Sequence, residues 1–344
     1  MLAQHGSSGA VVSEYERITR LPILVLNAHA RCNCRCIMCD IWKRQESAAL
    51  SVADLERHRE WLRKIAVEWI VLTGGEPLMH RDLRSLCEFF RELGIRLTLL
   101  TTGLLLQRRA GEVADLFDDI IISLDGPKPI HDTIRRVQGS YELIQSGIAA
   151  VRAVDPRIGI TFRTTVQKAN HAHLQETVRS AKALKGDGIS FLAADVTSSA
   201  FNRSLLWPAE RQSEVALSSA EVEILQTEVE NLIQCFADDL RIGYIAENSA
   251  KLRRIVEHFR AHLGQRPRCS PQCNAPWVSA VVEADGTVQP CFFHQPLGNI
   301  HQASLEEIIN GDAGREFRHN LDIPNNSICQ SCVCSLYRET ERDM

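Results

Sequence analysis

The chain has 344 residues, 44% of them apolar, and a net charge of −4 at pH 7. This composition is typical of a globular α/β protein, and the small charge gives no reason to expect a nucleic acid or an anionic membrane as a partner. No run reaches the roughly 18 apolar residues of a membrane span. The extension at residues 1–20 lacks the apolar core of a secretion signal.

The chain contains twelve cysteines. In a chain of this length without a secretion signal, cysteines indicate metal binding or catalysis rather than disulfides. We therefore expect a cytoplasmic protein whose thiols stay reduced.

Three of these cysteines follow the first apolar segment of the chain. Cys32, Cys36 and Cys39 have the spacing C-x₃-C-x₂-C. Three thiolates can hold three irons of a [4Fe–4S] cubane, which leaves the fourth iron open for a ligand. A structural zinc site is the alternative, although zinc sites usually combine two cysteine pairs.

A second motif ends the apolar run that begins at Trp69. It consists of Gly74, Gly75, Glu76 and Pro77. Glycines after a strand allow a backbone to approach a ligand closely, and proline stiffens the exit of the turn. Alone, the motif also fits an ordinary strand-to-helix loop.

Together the two motifs resemble those of the radical S-adenosylmethionine (SAM) superfamily. The resemblance implies that SAM chelates the open iron through its amino and carboxylate groups, and that the Gly74–Pro77 loop hydrogen-bonds the amino group. An electron from the cluster would then cleave SAM to methionine and a 5′-deoxyadenosyl radical, with the difficult chemistry residing in the cofactor. The resemblance also implies a flavodoxin- or ferredoxin-like electron donor.

Short apolar strands alternate with amphipathic helices from Leu21 to about Ala194, which predicts an α/β fold with a parallel sheet. The predicted strands are Pro22–Asn27, Glu68–Thr73, Arg96–Thr101, Asp119–Leu124, Gly159–Val166 and Gly188–Ala193. The predicted helices are Val52–Ile65, Arg81–Leu93, Gln107–Leu116, Tyr141–Val154 and His171–Leu184. The resemblance implies a partial (β/α)₆ barrel at residues 21–200, open on one side, with chemistry at the carboxyl ends of its strands.

Further residues at predicted strand ends are candidates for SAM binding. The resemblance implies that Ser123 holds the carboxylate or ribose of SAM, and Arg163 can pair with the carboxylate bidentately. Thr102 stands where many relatives have asparagine, and Met38 replaces an aromatic residue that packs on adenine.

Residues 201–264 are predicted to form a helical connector that packs against the barrel. Ser218–Phe236 opens with a capping box, Ser218-x-x-Glu221, and carries apolar residues at helical spacing.

Residues 265–344 hold a second cysteine set. The segment Val278–Val282, the turn at Asp285-Gly286 and a return strand ending at Pro290-Cys291 predict a β-hairpin. The hairpin would bring Cys273 close to Cys291, and Cys329-x₂-Cys332 would supply two more thiolates. Four thiolates close a cubane with no open iron, or hold zinc.

This layout resembles the twitch domain, a shortened SPASM domain, and is especially similar to that of 2-deoxy-scyllo-inosamine dehydrogenases. The resemblance implies a second, auxiliary [4Fe–4S] cluster held by Cys273, Cys291, Cys329 and Cys332. Five other cysteines have no assigned ligand role: Cys269 and Cys334 are spare, Cys34 is a bystander, and Cys87 and Cys235 are expected to be small buried hydrophobes. His294 is expected to be a core or surface histidine rather than a proton donor.

We therefore expect an enzyme that abstracts hydrogen from a small polar metabolite, such as a sugar or nucleoside. In an alcohol oxidation a base would remove the hydroxyl proton and the auxiliary cluster would take the electron. Epimerisation and decarboxylation begin with the same step. One alternative is modification of a ribosomal peptide, which the short segment before the first predicted strand disfavours. Another is a non-catalytic zinc protein.

Overall fold

The computed structural model describes residues 16–45, 47–201, 203 and 206–339. Its barrel strands are β1 (Ile23–His29), β2 (Trp69–Gly74), β3 (Arg96–Thr101), β4 (Asp119–Ser123), β5 (Gly159–Val166) and β6 (Gly188–Ala193). They lie in chain order and every neighbouring pair is parallel. The predicted α/β fold with a six-stranded partial barrel is confirmed.

Helices connect these strands and cover the outer face of the sheet. They are α1 (Val52–Glu56), α2 (Arg59–Lys64), α3 (Leu83–Glu92), α4 (Ala110–Leu116), α5 (Lys128–Arg135), α6 (Ser140–Val154) and α7 (Leu174–Ala183). The predicted helix Val52–Ile65 is therefore two helices, separated at the buried His58. Helix α5 was not among the predicted elements.

Strand alternation decides which side chains face the inside of the barrel. In β5 the buried residues Ile160 and Phe162 pack into the apolar core. Arg163 and Thr165, which alternate with the buried residues, point the other way and line the cavity at the barrel mouth.

The C-terminal hairpin extends the barrel sheet. Strand β7 (Ser279–Val282) pairs in parallel with β1, and β8 (Thr287–Gln289) and β9 (Gly298–Asn299) continue the sheet beyond it. The barrel is therefore not open beside β1, because β7 occupies the backbone hydrogen-bonding groups of that edge. The hairpin prediction is confirmed, except that Val278 ends helix α12 (Ala275–Val278) instead of starting the strand.

The connector consists of α8 (Ala209–Ser213), α9 (Ser219–Cys235), α10 (Ala237–Arg241) and α11 (Ser249–His262). Helix α9 has the predicted capping box and packs on α7 and α11, so the connector does lie against the barrel. Cys235 is exposed, contrary to prediction. The buried face of α9 repeats every three or four residues and passes from Leu232 to Phe236, which leaves Cys235 outside it. Cys87 is buried as expected.

Three helices complete the C-terminal region: α13 (Leu305–Asn310), α14 (Asp312–Asn320) and α15 (Ser327–Gln330). Among the residues that the structure describes, we find no helix with the length and apolar character needed to cross a membrane.

Candidate active site

A cavity of about 510 Å³ lies at the carboxyl ends of the barrel strands. One wall carries all three cysteines of the first motif, Cys32, Cys36 and Cys39. Four of the predicted SAM-binding residues line the same cavity: Gly74, Gly75, Ser123 and Arg163. The other two, Glu76 and Pro77, are buried and do not line it.

Nitrogen donors point at all three sulfur atoms of the first motif. The backbone N–H of Cys34 lies 3.5 Å from Cys32 Sγ, and that of Ile41 lies 3.4 Å from Cys39 Sγ. The Nη1 of Arg135 lies 3.5 Å from Cys36 Sγ. Such donors suit sulfurs that carry negative charge, as metal-bound thiolates do.

Burial makes a bound cation important for ionising the thiol of Cys39. Desolvation raises the pKa of Cys39 to about 12, so that thiol stays protonated near neutrality unless a cation binds it. Cys34 is buried, 1% exposed, and does not line the cavity.

The three cysteines of the first motif border one space. No group of three or more Cys, His, Asp or Glu side chains within the described ranges is close enough to bind a single metal ion. A cubane takes each thiolate on a different iron, and all three cysteines of the first motif line the cavity.

The two glycines of the second motif allow two loops to touch. Gly74 has φ +123°, and a Cβ there would lie 2.8 Å from the carbonyl oxygen of His29. A Cβ at Gly75 would collide with the carbonyl of Arg31. The backbone N–H groups of Gly75 and Glu76 donate to His29 and Arg31, each at 2.8 Å. The glycines therefore fix the cysteine loop against the second loop.

The carboxylate of Glu76 is fully buried and ties the second strand to the third. Its Oε1 accepts hydrogen bonds from the Leu78 N–H at 3.0 Å and the Thr101 hydroxyl at 2.8 Å. Its Oε2 accepts from the N–H and the hydroxyl of Thr102, both at 2.7 Å. Thr102, which departs from the pattern of many relatives, is thus the principal partner of Glu76.

We expect Glu76→Gln to lower the free energy of unfolding by about 1–3 kcal/mol, because the new amide N–H₂ must face a buried donor. Urea denaturation of the metal-free protein measures this loss. Glu60→Gln is the control, since Glu60 is exposed and forms a surface ion pair with the nearby Arg63. Equal stability of the two variants would contradict the anchoring role.

The segment after β6 packs against the end of the cysteine loop, from Met38 to Asp40. Arg203 is buried, forms an ion pair with Asp195 at 2.6 Å, and donates to the carbonyl of Met38 at 3.1 Å. The indole of Trp207 stacks on Arg203 and donates to Asp40 at 2.8 Å. The sequence analysis did not identify these residues, which hold the loop from Met38 to Asp40 in place.

The second cysteine set lies next to this cavity. The backbone N–H of Ala275 lies 3.5 Å from Cys273 Sγ, and Cys332 Sγ lies 2.8 Å from the carbonyl of Cys334. Burial raises the pKa of Cys291 and raises that of Cys329 to about 11, with the neighbouring cysteine sulfurs adding to both shifts. Neutral thiols at this spacing would ionise on binding a metal cluster.

The two spare cysteines differ in position. Cys334 lines the central cavity, and burial raises its pKa to about 11. Cys269 is exposed. His294 was expected in the core or at the surface, and it is buried. Its Nε2 lies 3.4 Å from Cys329 Sγ.

The wall contributed by the hairpin is polar. Glu283 follows β7, lines the cavity, and accepts a hydrogen bond from the Asn27 side chain at 2.7 Å. Its second oxygen lies 3.8 Å from Arg44 Nη1. Burial raises the pKa of Glu283, while Arg44 and Asn27 oppose that shift. The sequence analysis did not single out Glu283, because its proximity to Asn27 depends on the pairing of β7 with β1.

Comparison with known protein families identifies both cysteine regions. Residues 26–181 match the radical SAM superfamily, and residues 273–333 match SPASM, an iron–sulfur cluster-binding domain. The chain has a radical SAM domain and a SPASM domain. These domains, together with similar structures that contain S-adenosylmethionine, support SAM and [4Fe–4S] clusters as its cofactors.

The curated relatives carry different enzyme names and align with different shares of this chain. Pre-heme d1 synthase of Dinoroseobacter shibae is 30% identical over 47% of this chain and 41% of its own length. AdoMet-dependent heme synthase of Methanosarcina barkeri is 24% identical over 90% of both chains. The chain spans only about two fifths of the first two curated relatives.

Solved structures support the fold of the two domains. The structure of anSMEcpe with bound AdoMet aligns with a TM-score of 0.64 and 20% identity, covering 91% of this chain and 83% of that one. BtrN in complex with AdoMet and 2-DOIA aligns with a TM-score of only 0.46. The expected special similarity to 2-deoxy-scyllo-inosamine dehydrogenase therefore has weak support.

Proposed function

We propose that this chain is a radical SAM enzyme that abstracts hydrogen from a small polar metabolite and oxidises it. When bound, SAM and its cluster supply a 5′-deoxyadenosyl radical, which is the reagent for that step. The observation that carries the proposal is a single cavity whose wall includes Cys32, Cys36 and Cys39 of the radical SAM domain and Cys334 of the C-terminal region.

We assign the SAM cluster to Cys32, Cys36 and Cys39, and the auxiliary cluster to Cys273, Cys291, Cys329 and Cys332. The corresponding domain limits are 21–200 for the barrel, 201–264 for the connector and 265–344 for the auxiliary domain. In this proposal Ser123 holds the carboxylate or ribose of SAM, and Arg163 pairs with the carboxylate. The two residues are paired partners on the neighbouring strands β4 and β5, and both line the cavity, which supports these roles.

The size of the cavity and the polar groups at its hairpin end support a small polar substrate. Pockets of roughly 300–1,000 Å³ hold one drug-sized ligand, and about 510 Å³ is available here for SAM and the reacting part of the substrate. Asn27, Arg44 and Glu283 supply hydrogen-bonding and charged groups at the hairpin end. Of these, Glu283 is our candidate for the group that accepts a proton from a substrate hydroxyl, because its carboxylate lines the cavity.

Iron and sulfide analysis with EPR spectroscopy tests the proposal. We expect about eight irons per chain, as two cubanes require, after anaerobic reconstitution and reduction with dithionite. One reduced-cluster signal should shift when SAM is added and a second should not. About four irons with a single SAM-sensitive signal would remove the auxiliary electron acceptor, and zinc without iron would refute the enzyme.

Two other substrate classes follow from the names of relatives. PqqA peptide cyclase of Rhizobium meliloti is 27% identical over 76% of this chain, which favours a peptide. The heme synthase that aligns over 90% of both chains favours a tetrapyrrole. A larger substrate would have to insert only its reacting side chain into the cavity. Stimulation of 5′-deoxyadenosine formation by Fe-coproporphyrin III would favour the tetrapyrrole over a small metabolite.

A further inference from the structure

An ion pair behind the first cysteine loop reaches one of its sulfur atoms. Asp125 follows β4, is fully buried, and pairs with Arg135 Nη2 at 2.6 Å. The Nη1 of the same guanidinium lies 3.5 Å from Cys36 Sγ. A buried carboxylate, a buried guanidinium and a cluster-loop sulfur therefore form one connected chain.

Backbone contacts hold Arg135 in this place. The end of α5 docks on the cysteine loop, since the Arg35 N–H donates to the carbonyl of Arg135 at 3.2 Å. The N–H of Ile37 donates to the carbonyl of Ile134 at 3.0 Å. Arg136 then adopts a left-handed conformation that ends the helix. The guanidinium is thus delivered to Cys36 by the main chain as well as by its ion pair.

Asp125 is fixed equally well. Its Oδ1 accepts a hydrogen bond from the Thr165 N–H at 3.0 Å, and its own N–H donates to His131 Nδ1 at 3.2 Å. Burial lowers the pKa of His131 to about 4, so this histidine is neutral near pH 7 and adds no charge beside the pair. The charges of this pair are therefore those of Asp125 and Arg135, and a neutral substitution of either residue removes one of them.

We propose that Arg135 and Asp125 are positioning residues that set the reduction potential of the SAM cluster in opposite directions. The inference rests on the proposed function, in which Cys36 is a cluster ligand. Hydrogen bonds to cluster sulfurs and nearby charge are the protein's means of tuning such potentials. A cation on the Cys36 sulfur stabilises the more negative, reduced cluster, and the carboxylate behind it offsets part of that effect.

An EPR-monitored redox titration of the anaerobically reconstituted full chain, following the SAM-sensitive signal, tests this proposal. We expect Arg135→Met to shift the midpoint potential to more negative values. Asp125→Asn should shift the midpoint potential to more positive values, because it removes a negative charge. Asparagine keeps an oxygen that accepts the hydrogen bond from the Thr165 N–H. The double variant should lie between the two, because it removes the pair without a net change of charge.

Arg136→Met is the matched control, since Arg136 is the next residue and is exposed. Its potential should equal that of the wild type. If Arg135→Met does not fold, Arg135→Lys and Asp125→Asn carry the test, with a smaller negative shift expected for the lysine. Shifts of the same sign for Asp125→Asn and the Arg135 variants, or none, would overturn the proposal. A wild-type protein without a SAM-sensitive signal would overturn the proposed function along with it.

Discussion

Cys36→Ala should abolish reductive cleavage of SAM. The substitution removes one of three thiolates assigned to the open cluster, and it leaves the buried Arg135 cation without the sulfur that it contacts. We expect no 5′-deoxyadenosine above background after anaerobic reconstitution with dithionite. Iron content should fall by about four per chain, the iron of one cubane.

Cys34→Ala is the matched control for this loss. Cys34 lies two residues from Cys36 in the same loop but is buried outside the cavity lining. The control should keep its full iron content and its SAM cleavage. If Cys34→Ala lost the cluster and Cys36→Ala kept it, the assigned triad would be wrong.

The barrel strands were predictable because their signal is local. Arg96–Thr101, Gly159–Val166 and Gly188–Ala193 have the predicted bounds to the residue. In β5, burial alternates along all eight residues, so the sequence reports the two faces of the strand directly. Boundaries elsewhere shifted by one or two residues, as at β1, where the strand continues to His29.

The contacts that shape the site were not predictable, because they join residues far apart in the chain. Glu283 approaches Asn27 only because β7 adds to the sheet beside β1, and nothing in either segment specifies that pairing. Arg203 likewise reaches Met38 across most of the barrel sequence. The motifs supplied the candidate cofactor-binding residues, whereas the residues that position those motifs depend on tertiary packing.

Glu76 has a structural role that its motif did not reveal. Its sequence context suggested a loop that approaches a ligand, but the buried carboxylate accepts four hydrogen bonds from the protein itself. An acid that is fully satisfied by Leu78, Thr101 and Thr102 acts on the site through the position of the loop. The conformation that the glycines permit then places that loop against the cysteine loop.

Cys291→Ala should separate SAM cleavage from product formation. The auxiliary cluster assigned to Cys291 is proposed to take the electron that remains after hydrogen abstraction and proton loss, and it does not bind SAM. Its loss should therefore spare much of the 5′-deoxyadenosine formation and stop substrate oxidation. We expect iron content to fall by about four per chain, with the SAM-sensitive EPR signal retained.

Cys269→Ala is the control for this variant, because Cys269 belongs to the same cysteine-rich region but is exposed. It should keep both EPR signals. Cys334→Ala adds a second comparison: Cys334 lines the cavity, and loss of the SAM-insensitive signal there would exchange it for one of the four assigned ligands. Full substrate oxidation by a Cys291→Ala protein that lacks the second cluster would show that the electron leaves by another route. In that case the hairpin would contribute to the proposed reaction through the polar cavity wall around Glu283, and not through the auxiliary cluster.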